Sequence, residues 1–169
     1  MREIPLTQDK VALVDDEDYE ALNAFKWFVK RDRDTSYAMR NVRGKPTKEL
    51  IHRVVLARKL GRTLAKGERA DHINGDGLDN RRENLRQATH AQNMLNCRRH
   101  SVNPSSRYLG VRWYKHTRKW LAQIKIDSRP IYLGTYRTEN EAALAREFYI
   151  VAHPELHARS NFSEHELTL

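Results

Sequence analysis

Apolar residues occur in short runs along this chain, and these runs limit the size of the core that it can build. Typical runs, residues 11–14 and residues 54–57, span four residues each. Hydrophobic residues make up 39% of the 169 positions, and charged residues make up 31%. Such a chain buries its apolar surface in small compact modules rather than in one large globule. We therefore predict an α+β protein that is built from small modules.

The same short runs exclude several classes of protein. They fall far short of the roughly 20 apolar residues that a membrane-spanning helix needs. The first residues, Met1, Arg2 and Glu3, are not followed by an apolar stretch that ends in small residues, so we do not expect a secretory signal. The single cysteine, Cys97, rules out an internal disulfide and a multi-cysteine zinc site. We expect a cytoplasmic protein with no membrane partner.

Residues 1–50 are predicted to form a small α+β scaffold. A strand is expected at residues 10–14, and the acids at residues 15–18 suit the first turn of a helix because its N-terminus is electropositive. Two strands are expected at residues 27–30 and 37–42. Three side chains of the helix are predicted to face inward: Tyr19, Leu22 and Phe25.

Residues 51–98 are predicted to form a helix followed by a strand, a turn, a second strand and a second helix. Ile51 and Val55 belong to a set of apolar residues at helical spacing. The turn is indicated by Asn-Gly and Asp-Gly at residues 74–77, which favour the positive φ angles of tight hairpins. Thr89 and Gln92 have the spacing of a capping box, which predicts a helix from about residue 90 to about residue 98.

The end of the chain is predicted to form a separate module after a polar linker at residues 99–105. Residues 120–126 alternate apolar and polar, which is typical of a strand with one buried face. Flanking strands are expected at residues 110–115 and 131–136, and Thr138 with Glu141 predicts a capped helix. The module should therefore be a three-stranded antiparallel sheet packed on one helix. The small inward face of that helix is predicted to consist of Ala142, Ala145, Tyr149 and Ala152.

Three polar residues have the chemistry to hydrolyse a phosphodiester. The reaction must activate a water, neutralise phosphoryl charge and stabilise the leaving oxygen. Asp71 and Asn93 supply the hard oxygen ligands that Mg²⁺ prefers. His72 is a suitable base because its ordinary pKa of about 6.5 leaves much of it neutral at physiological pH. The other ring nitrogen of His72 needs a partner, for which we expect a loop carbonyl.

The same segment contains two alternative metal-binding patterns. His90 could serve as an alternative ligand, but it stands at the start of the predicted helix. A calcium-binding EF-hand loop fails because Asp76 occupies the sixth position, where that loop needs glycine. Neither alternative is favoured.

The order of these residues resembles the HNH endonuclease motif of phage and intron homing enzymes. The resemblance rests on Asp71-His72-Ile73-Asn74-Gly75-Asp76, Asn80, Glu83-Asn84-Leu85-Arg86 and Gln92-Asn93, with His52-Arg53 upstream. It implies a ββα-metal site over residues 51–98 and a prokaryotic or phage-encoded protein. By position, Asp71 and Asn93 would bind one Mg²⁺ or Mn²⁺ ion, His72 would be the general base, and Asn84 would hold the loop through backbone hydrogen bonds. The last family position is often histidine, so Asn93 predicts weak binding of Mg²⁺ rather than Zn²⁺.

The excess positive charge is concentrated in one quarter of the chain. Residues 98–137 hold ten basic residues and one acid, a net charge of +9, whereas the rest holds 21 residues of each sign. This distribution favours nucleic-acid binding over a merely solvated face.

Residues 106–162 resemble the plant Apetala/ethylene-response-factor DNA-binding domain, and residues 163–169 would form a tail. The resemblance is carried by residues 106–113, 119–124, 132–136, 141–143 and 161–162. It implies that the sheet lies in the major groove, which admits such a sheet. Leu109 replaces a base-reading arginine of that family, so its sequence preference does not transfer. The predicted DNA-binding residues are Arg107, Arg112, Trp113, Tyr114, Lys115, Arg118, Lys119, Lys125, Arg129 and Tyr132.

The leading hypothesis is a monomeric endonuclease acting on double-stranded DNA. One alternative is a non-catalytic DNA-binding regulator with a degenerate HNH fold, and the set Asp71, His72, Asn84 and Asn93 argues against it. Another is an RNA-binding protein, which the resemblance to a duplex DNA reader makes less favoured.

Overall fold

A computed structural model describes residues 1–32, 35–44, 46–97 and 105–163 of the chain. They fall into two compact units, residues 1–90 and residues 91–169. Both units mix helices with small antiparallel sheets, which confirms the predicted α+β class. No helix among the described residues is long and apolar enough to cross a membrane.

The first unit contains three small antiparallel sheets, β1–β2, β3–β4–β5 and β6–β7. Its strands are β1 (Arg2–Pro5), β2 (Val11–Val14), β3 (Phe28–Asp32), β4 (Thr35–Asn41), β5 (Lys48–Leu50), β6 (Arg69–His72) and β7 (Leu85–Ala88). Its helices are α1 (Asp16–Asn23) and α2 (Ile51–Leu60), and α3 (His90–Asn96) begins at its last residue. The predicted strand-turn-strand-helix order of the central segment is therefore confirmed. The predicted end of α3 at residue 98 lies outside the described residues.

One hydrophobic core serves the whole first unit. Val14 and Leu22 come from the segment that was predicted as a scaffold, and Val55 and Leu85 come from the predicted nuclease segment. All four are almost completely buried. The two segments therefore fold around shared apolar contacts, and the scaffold contributes directly to the support of the central hairpin.

The prediction that Phe25 faces inward is wrong. Helix α1 ends at Asn23, so Phe25 lies beyond it and is 48% exposed. The guanidinium carbon of Arg40 lies 3.5 Å from the centroid of the Phe25 ring. A cation–π contact therefore covers this ring at the surface, whereas Leu22 is buried and Tyr19 packs against the core as predicted.

The second unit contains the predicted three-stranded antiparallel sheet and its helix. Its strands are β8 (Val111–Tyr114), β9 (Lys119–Ile126) and β10 (Arg129–Tyr136), in the spatial order β10-β9-β8, and α4 (Glu139–Ala152) packs on them. The capping box forms, because Glu141 N donates to Thr138 Oγ1 and Thr138 N donates to Glu141 Oε2, each at 3.2 Å. Residues 99–104 of the predicted linker and 164–169 of the predicted tail lie outside the described residues.

The inward face of α4 differs in part from the prediction. Ala142 is buried as expected, but Ala152 is exposed, and Arg146 and Glu147 are buried instead. Arg146 Nη1 donates to the Arg159 carbonyl at 2.9 Å, and the Asn161 backbone N–H donates to Glu147 Oε2 at 3.0 Å. The segment after α4 thus covers two charged side chains and supplies their hydrogen-bonding partners.

Candidate active site

The β6–β7 hairpin places Asp71 and His72, which are consecutive in the sequence, at the end of β6. Asp71 lies opposite Arg86, and His72 lies opposite Leu85. Both side chains are buried, with 5% of each residue exposed. Two adjacent polar residues at the buried end of a short strand need specific partners, because an unpaired polar group in such a place is costly.

Asn84 ties together the long loop between β6 and β7. Its Nδ2 donates to the Asp79 carbonyl at 2.7 Å, and its Oδ1 accepts from the Asn74 backbone N–H at 3.0 Å. The Ile73 backbone N–H donates to the Asn84 carbonyl at 2.9 Å. Asn84 therefore makes backbone hydrogen bonds of the kind that the family resemblance implies, and its importance for catalysis stays a prediction.

Strands β2 and β4 also hold the loop between β6 and β7 through hydrogen bonds. Leu13 N donates to the Leu78 carbonyl at 2.9 Å, and Asn80 N donates to the Leu13 carbonyl at 2.8 Å. Gly77 N donates to Thr35 Oγ1 at 2.9 Å. A β-carbon at Gly77 would overlap the backbone oxygen of Ser36 and the ring of residue 37, so only glycine allows this close approach. The loop is thus anchored to both β2 and β4.

His72 lies in a buried group of rings. Its ring centroid is 4.9 Å from that of His52 and 5.8 Å from that of Tyr37. We expected a loop carbonyl as its partner, but Nε2 instead lies 3.3 Å from the side-chain oxygen of Asn80. Burial lowers the pKa of His72 below its ordinary value, although the hydrogen bond to Asn80 and the charges of nearby aspartates oppose this shift. The ring is therefore kept neutral at physiological pH.

His52 is the second histidine of this group. It is 7% exposed, and its buried Nδ1 has no hydrogen-bond partner among the described residues. Burial, the repulsion that a protonated His72 would exert and the charge of Arg53 hold the pKa of His52 well below its ordinary value. His52 is thus a neutral ring that forms part of the wall around His72.

Asp71 has the donor chemistry of a ligand for a hard divalent cation. Its carboxylate is buried, and Arg86 Nε donates to Asp71 Oδ2 at 2.9 Å. No group of three or more His, Cys, Asp or Glu residues that could hold a metal occurs among the described residues. The predicted site has one carboxylate and one amide ligand, so it contains only one residue of these four types. Asn93 is half-buried on α3 in the second unit, so its pairing with Asp71 stays a prediction.

The strand register divides the predicted DNA-binding residues between the two faces of the C-terminal sheet. Val111 and Ala122 are paired across β8 and β9, and both pack against α4. Strand residues on the same face as this pair therefore lie on the helix side of the sheet. Five residues lie on the opposite, open face: Arg112, Tyr114, Lys119, Lys125 and Tyr132. Trp113 and Arg129 lie on the helix side, and the Trp113 ring packs edge-on against Trp120 at a centroid distance of 5.2 Å.

The three remaining predicted DNA-binding residues lie outside these strands and are exposed. Lys115 and Arg118 lie in the turn between β8 and β9. Arg107 lies before β8, where its Nη2 donates to the Tyr108 hydroxyl at 2.6 Å. Their positions are compatible with contacts to phosphates at the edge of the open face.

Residues 49–95 match the HNH endonuclease family. The match contains Asp71, His72, Asn84 and Asn93, and it supports a nuclease with a DNA substrate. It covers 47 of the 169 residues and ends before the C-terminal sheet. No curated protein and no solved structure matches the chain. The family match therefore gives no function for the C-terminal sheet.

Sequence reasoning did not assign roles to four residues around the site: Tyr37, His52, Asn80 and Arg86. Asn80 and Arg86 belong to the motif that carries the HNH resemblance, and His52 stands just upstream of it. Their positions in the motif were a signal, but their contacts depend on the folded loop. Tyr37 comes from a different sheet, and no pattern in the sequence links it to His72.

Proposed function

We propose that this protein is a metal-dependent HNH endonuclease of the homing type that acts as a monomer on double-stranded DNA. Hydrolysis of the phosphodiester would leave 5′-phosphate and 3′-hydroxyl ends. The observation that carries the proposal is a buried, neutral His72, oriented by Asn80 and adjacent to Asp71, within the segment that matches the family.

His72 acts as the general base in this proposal. Nε2 faces an oxygen that can only accept a hydrogen bond, so it carries the ring proton, and Nδ1 carries the lone pair. A neutral ring at physiological pH can then take a proton from the attacking water. Asn84 contributes by holding the loop that follows His72, which limits the movement of the base.

Asp71 and Asn93 would hold one Mg²⁺ or Mn²⁺ ion. When bound, such an ion neutralises phosphoryl charge and stabilises the leaving 3′ oxygen. Arg86 aligns the Asp71 carboxylate through its charge-assisted hydrogen bond. Because the protein would supply only two ligands, the remaining ligands would be water and phosphate oxygens. Because Asn93 is a neutral ligand, the ion would bind weakly.

The open face of the C-terminal sheet is the proposed DNA-binding surface. Arg112 and Lys125 are exposed there, and arginine can pair with guanine through two hydrogen bonds in the major groove. Lys115 and Arg118, in the adjoining turn, would contact phosphates and position the protein. The similarity of residues 106–162 to the Apetala/ethylene-response-factor domain supports this arrangement. Trp113 would contribute to packing more than to recognition.

A plasmid-nicking assay with Mg²⁺ tests the nuclease proposal. We expect His72→Ala to reduce the cutting rate about 100-fold or more, because general-base catalysis contributes about 10²–10⁴-fold. His153→Gln is the control, since this histidine caps α4 in the second unit. Affinity for duplex DNA, measured by gel shift, should be unchanged in both variants. Wild-type cutting by His72→Ala would remove the proposed base, and DNA binding without any cutting by the wild type would favour a regulator.

The pH profile of cutting tests the state of His72. Burial lowers its pKa, so the neutral, active form should persist to more acidic pH than an exposed histidine allows. We expect the rate to fall as the pH decreases, with a midpoint below about 6.5. A midpoint at or above that value would contradict the buried environment.

A further inference from the structure

We propose that Asn80 is a positioning residue that holds His72 in the tautomer with the proton on Nε2. The catalytic role of this tautomer rests on the proposed nuclease function, but the tautomer itself can be measured without an assay of DNA cleavage. Asn80 would then decide which ring nitrogen, Nδ1, accepts the proton of the attacking water.

The Asn80 side-chain amide is held in one orientation. An asparagine amide has an oxygen that accepts and a nitrogen that donates. Asn80 Nδ2 donates to the Leu78 carbonyl at 2.9 Å, which turns Oδ1 toward His72 Nε2 at 3.3 Å. A flipped amide would place its oxygen against the Leu78 carbonyl oxygen and its nitrogen against the ring. The Leu78 contact therefore fixes the direction of the amide, and the amide fixes the proton on Nε2.

Burial and strand β2 hold Asn80 in place. Asn80 is completely buried, so water does not compete for its amide. Its backbone N–H donates to the Leu13 carbonyl at 2.8 Å, and Leu13 N donates to the Leu78 carbonyl at 2.9 Å. Strand β2 thus holds both Asn80 and the carbonyl that orients its side chain.

Hydrogen bonds within the loop also hold the residues on either side of Asn80. Asn84 Nδ2 donates to the Asp79 carbonyl, directly before Asn80 in the chain. Asp79 in turn accepts from Arg81 at 2.8 Å and from Asn74 Nδ2 at 2.9 Å. The residues on either side of Asn80 are therefore held as well, and the amide has little freedom to leave the ring. A neutral partner of this kind selects a tautomer without adding a negative charge beside the base.

Two variants separate the acceptor oxygen from the shape of the side chain. Asn80→Leu keeps a similar volume but offers no acceptor to His72. Asn80→Asp keeps an acceptor oxygen for His72, although it loses the donor to the Leu78 carbonyl and adds a negative charge, so it tests the acceptor alone. Loss of a group that orients a metal-ligating histidine costs about 10–100-fold in metal affinity or activity, and we take the same range for the orientation of a histidine base. We expect a loss of that size in kcat for Asn80→Leu, with little change in KM, and partial recovery in Asn80→Asp.

The decisive experiment is a long-range proton–nitrogen NMR correlation on the ¹⁵N-labelled full chain, with His72 assigned by comparison with His72→Gln. In the wild type we expect Nε2 to be protonated and Nδ1 to be unprotonated. In Asn80→Leu we expect the signals of a tautomer mixture, and in Asn80→Asp we expect the wild-type pattern. Thermal unfolding of each variant shows whether it remains folded.

Each outcome separates this inference from the nuclease proposal. A wild-type His72 with its proton on Nδ1 would overturn the role of Asn80 even if the protein cuts DNA, and no variant is needed for that result. The expected tautomer in a protein that does not cut would leave Asn80 as its determinant and would reject the nuclease. An unchanged tautomer and kcat in a folded Asn80→Leu would also overturn the inference.

Discussion

The cations of the first unit and those of the C-terminal sheet are used in different ways. In the first unit, Arg82 and Arg58 contact Asp18 at 2.7 and 2.6 Å, and Arg81 contacts Asp79 at 2.8 Å. On the open face of the second unit, Arg112 and Lys125 are exposed and form no ion pair with any described residue. The first set holds the fold together, and the second remains available to a polyanion. A count of charges therefore indicates DNA binding only where the charges are not already paired.

The internal pairs of the first unit act on the loop of the candidate site. Asp18 is fully buried, and the two arginines reach it from α2 and from the turn before β7. The Arg82 backbone N–H also donates to Asp15 Oδ2 at 2.7 Å. Lys59 Nζ donates to the carbonyls of Arg82 and Leu85 at 2.7 and 2.8 Å. These contacts attach the residues around Asn84 to both helices of the unit.

Removal of Asp18 should have the largest effect on stability. Asp18→Ala leaves two arginines without their shared partner, and breaking a buried pair costs about 3–5 kcal/mol. Both arginines retain some exposure and can be rehydrated, so we expect the free energy of unfolding to fall by about 2–3 kcal/mol. Urea denaturation measures the change.

Asp16→Ala is the matched control for this prediction. Asp16 lies on the same helix, is exposed and pairs only with the N-terminal amine among the described residues. Exposed pairs contribute about 0–1 kcal/mol, so this variant should be close to the wild type. Equal stabilities for the two variants would mean that burial of Asp18 has no energetic consequence.

Acid should weaken the same contact to a smaller extent, because a protonated carboxyl still fills its site. Burial raises the pKa of Asp18, but hydrogen bonds and charges from Arg82 and Arg58 together outweigh it, so the pKa lies below its ordinary value. A group with a lowered pKa stabilises the fold above its unfolded pKa, and this contribution is lost as the pH falls through the folded pKa. The stability difference between wild type and Asp18→Asn should therefore shrink below about pH 4. A difference that stays constant from neutral pH into strong acid would contradict this assignment.

The elements that depend on local patterns were predicted well. The hairpin and α3 follow from turn residues and a helix start that lie close together in the sequence. Strand β9 and the capping box at Thr138 follow from alternation and from a four-residue motif. Strands β1 and β5 were missed because they are short and mostly polar, so their pairing partners rather than their own residues determine them.

The parts that depend on distant contacts could not be predicted. Leu13 and Asp79 form an isolated bridge across 66 residues of chain, and nothing in either segment indicates it. The partner of His72 follows from that bridge, because the bridge sets the position of Asn80. Phe25 and Ala152 were predicted as buried because apolar residues usually are, but the end of α1 and the covering of α4 depend on tertiary contacts.

Recognition of DNA by the open sheet face should be the next largest effect. If Arg112 pairs with a base, Arg112→Ala should weaken specific binding about tenfold or more and relax the preference at one base pair. Arg129→Ala is the matched control, because Arg129 is also exposed to solvent but lies on the helix side. Binding measured on a randomised duplex pool gives both affinity and preference. Equal losses for the two variants would show that the face of the sheet does not matter.

Loss of a single phosphate contact should have the smallest effect. Lys125 lies on the open face, and each phosphate that a protein neutralises adds about 0.9 to the slope of log affinity against log salt. Lys125→Ala should therefore reduce that slope by about 1 and weaken binding similarly on all sequences. Lys26→Ala, an exposed lysine of the first unit, is the control and should leave the slope unchanged. An equal reduction of the slope in both variants would mean that exposed cations of the first unit also contact DNA. DNA binding would then not be confined to the open face of the C-terminal sheet.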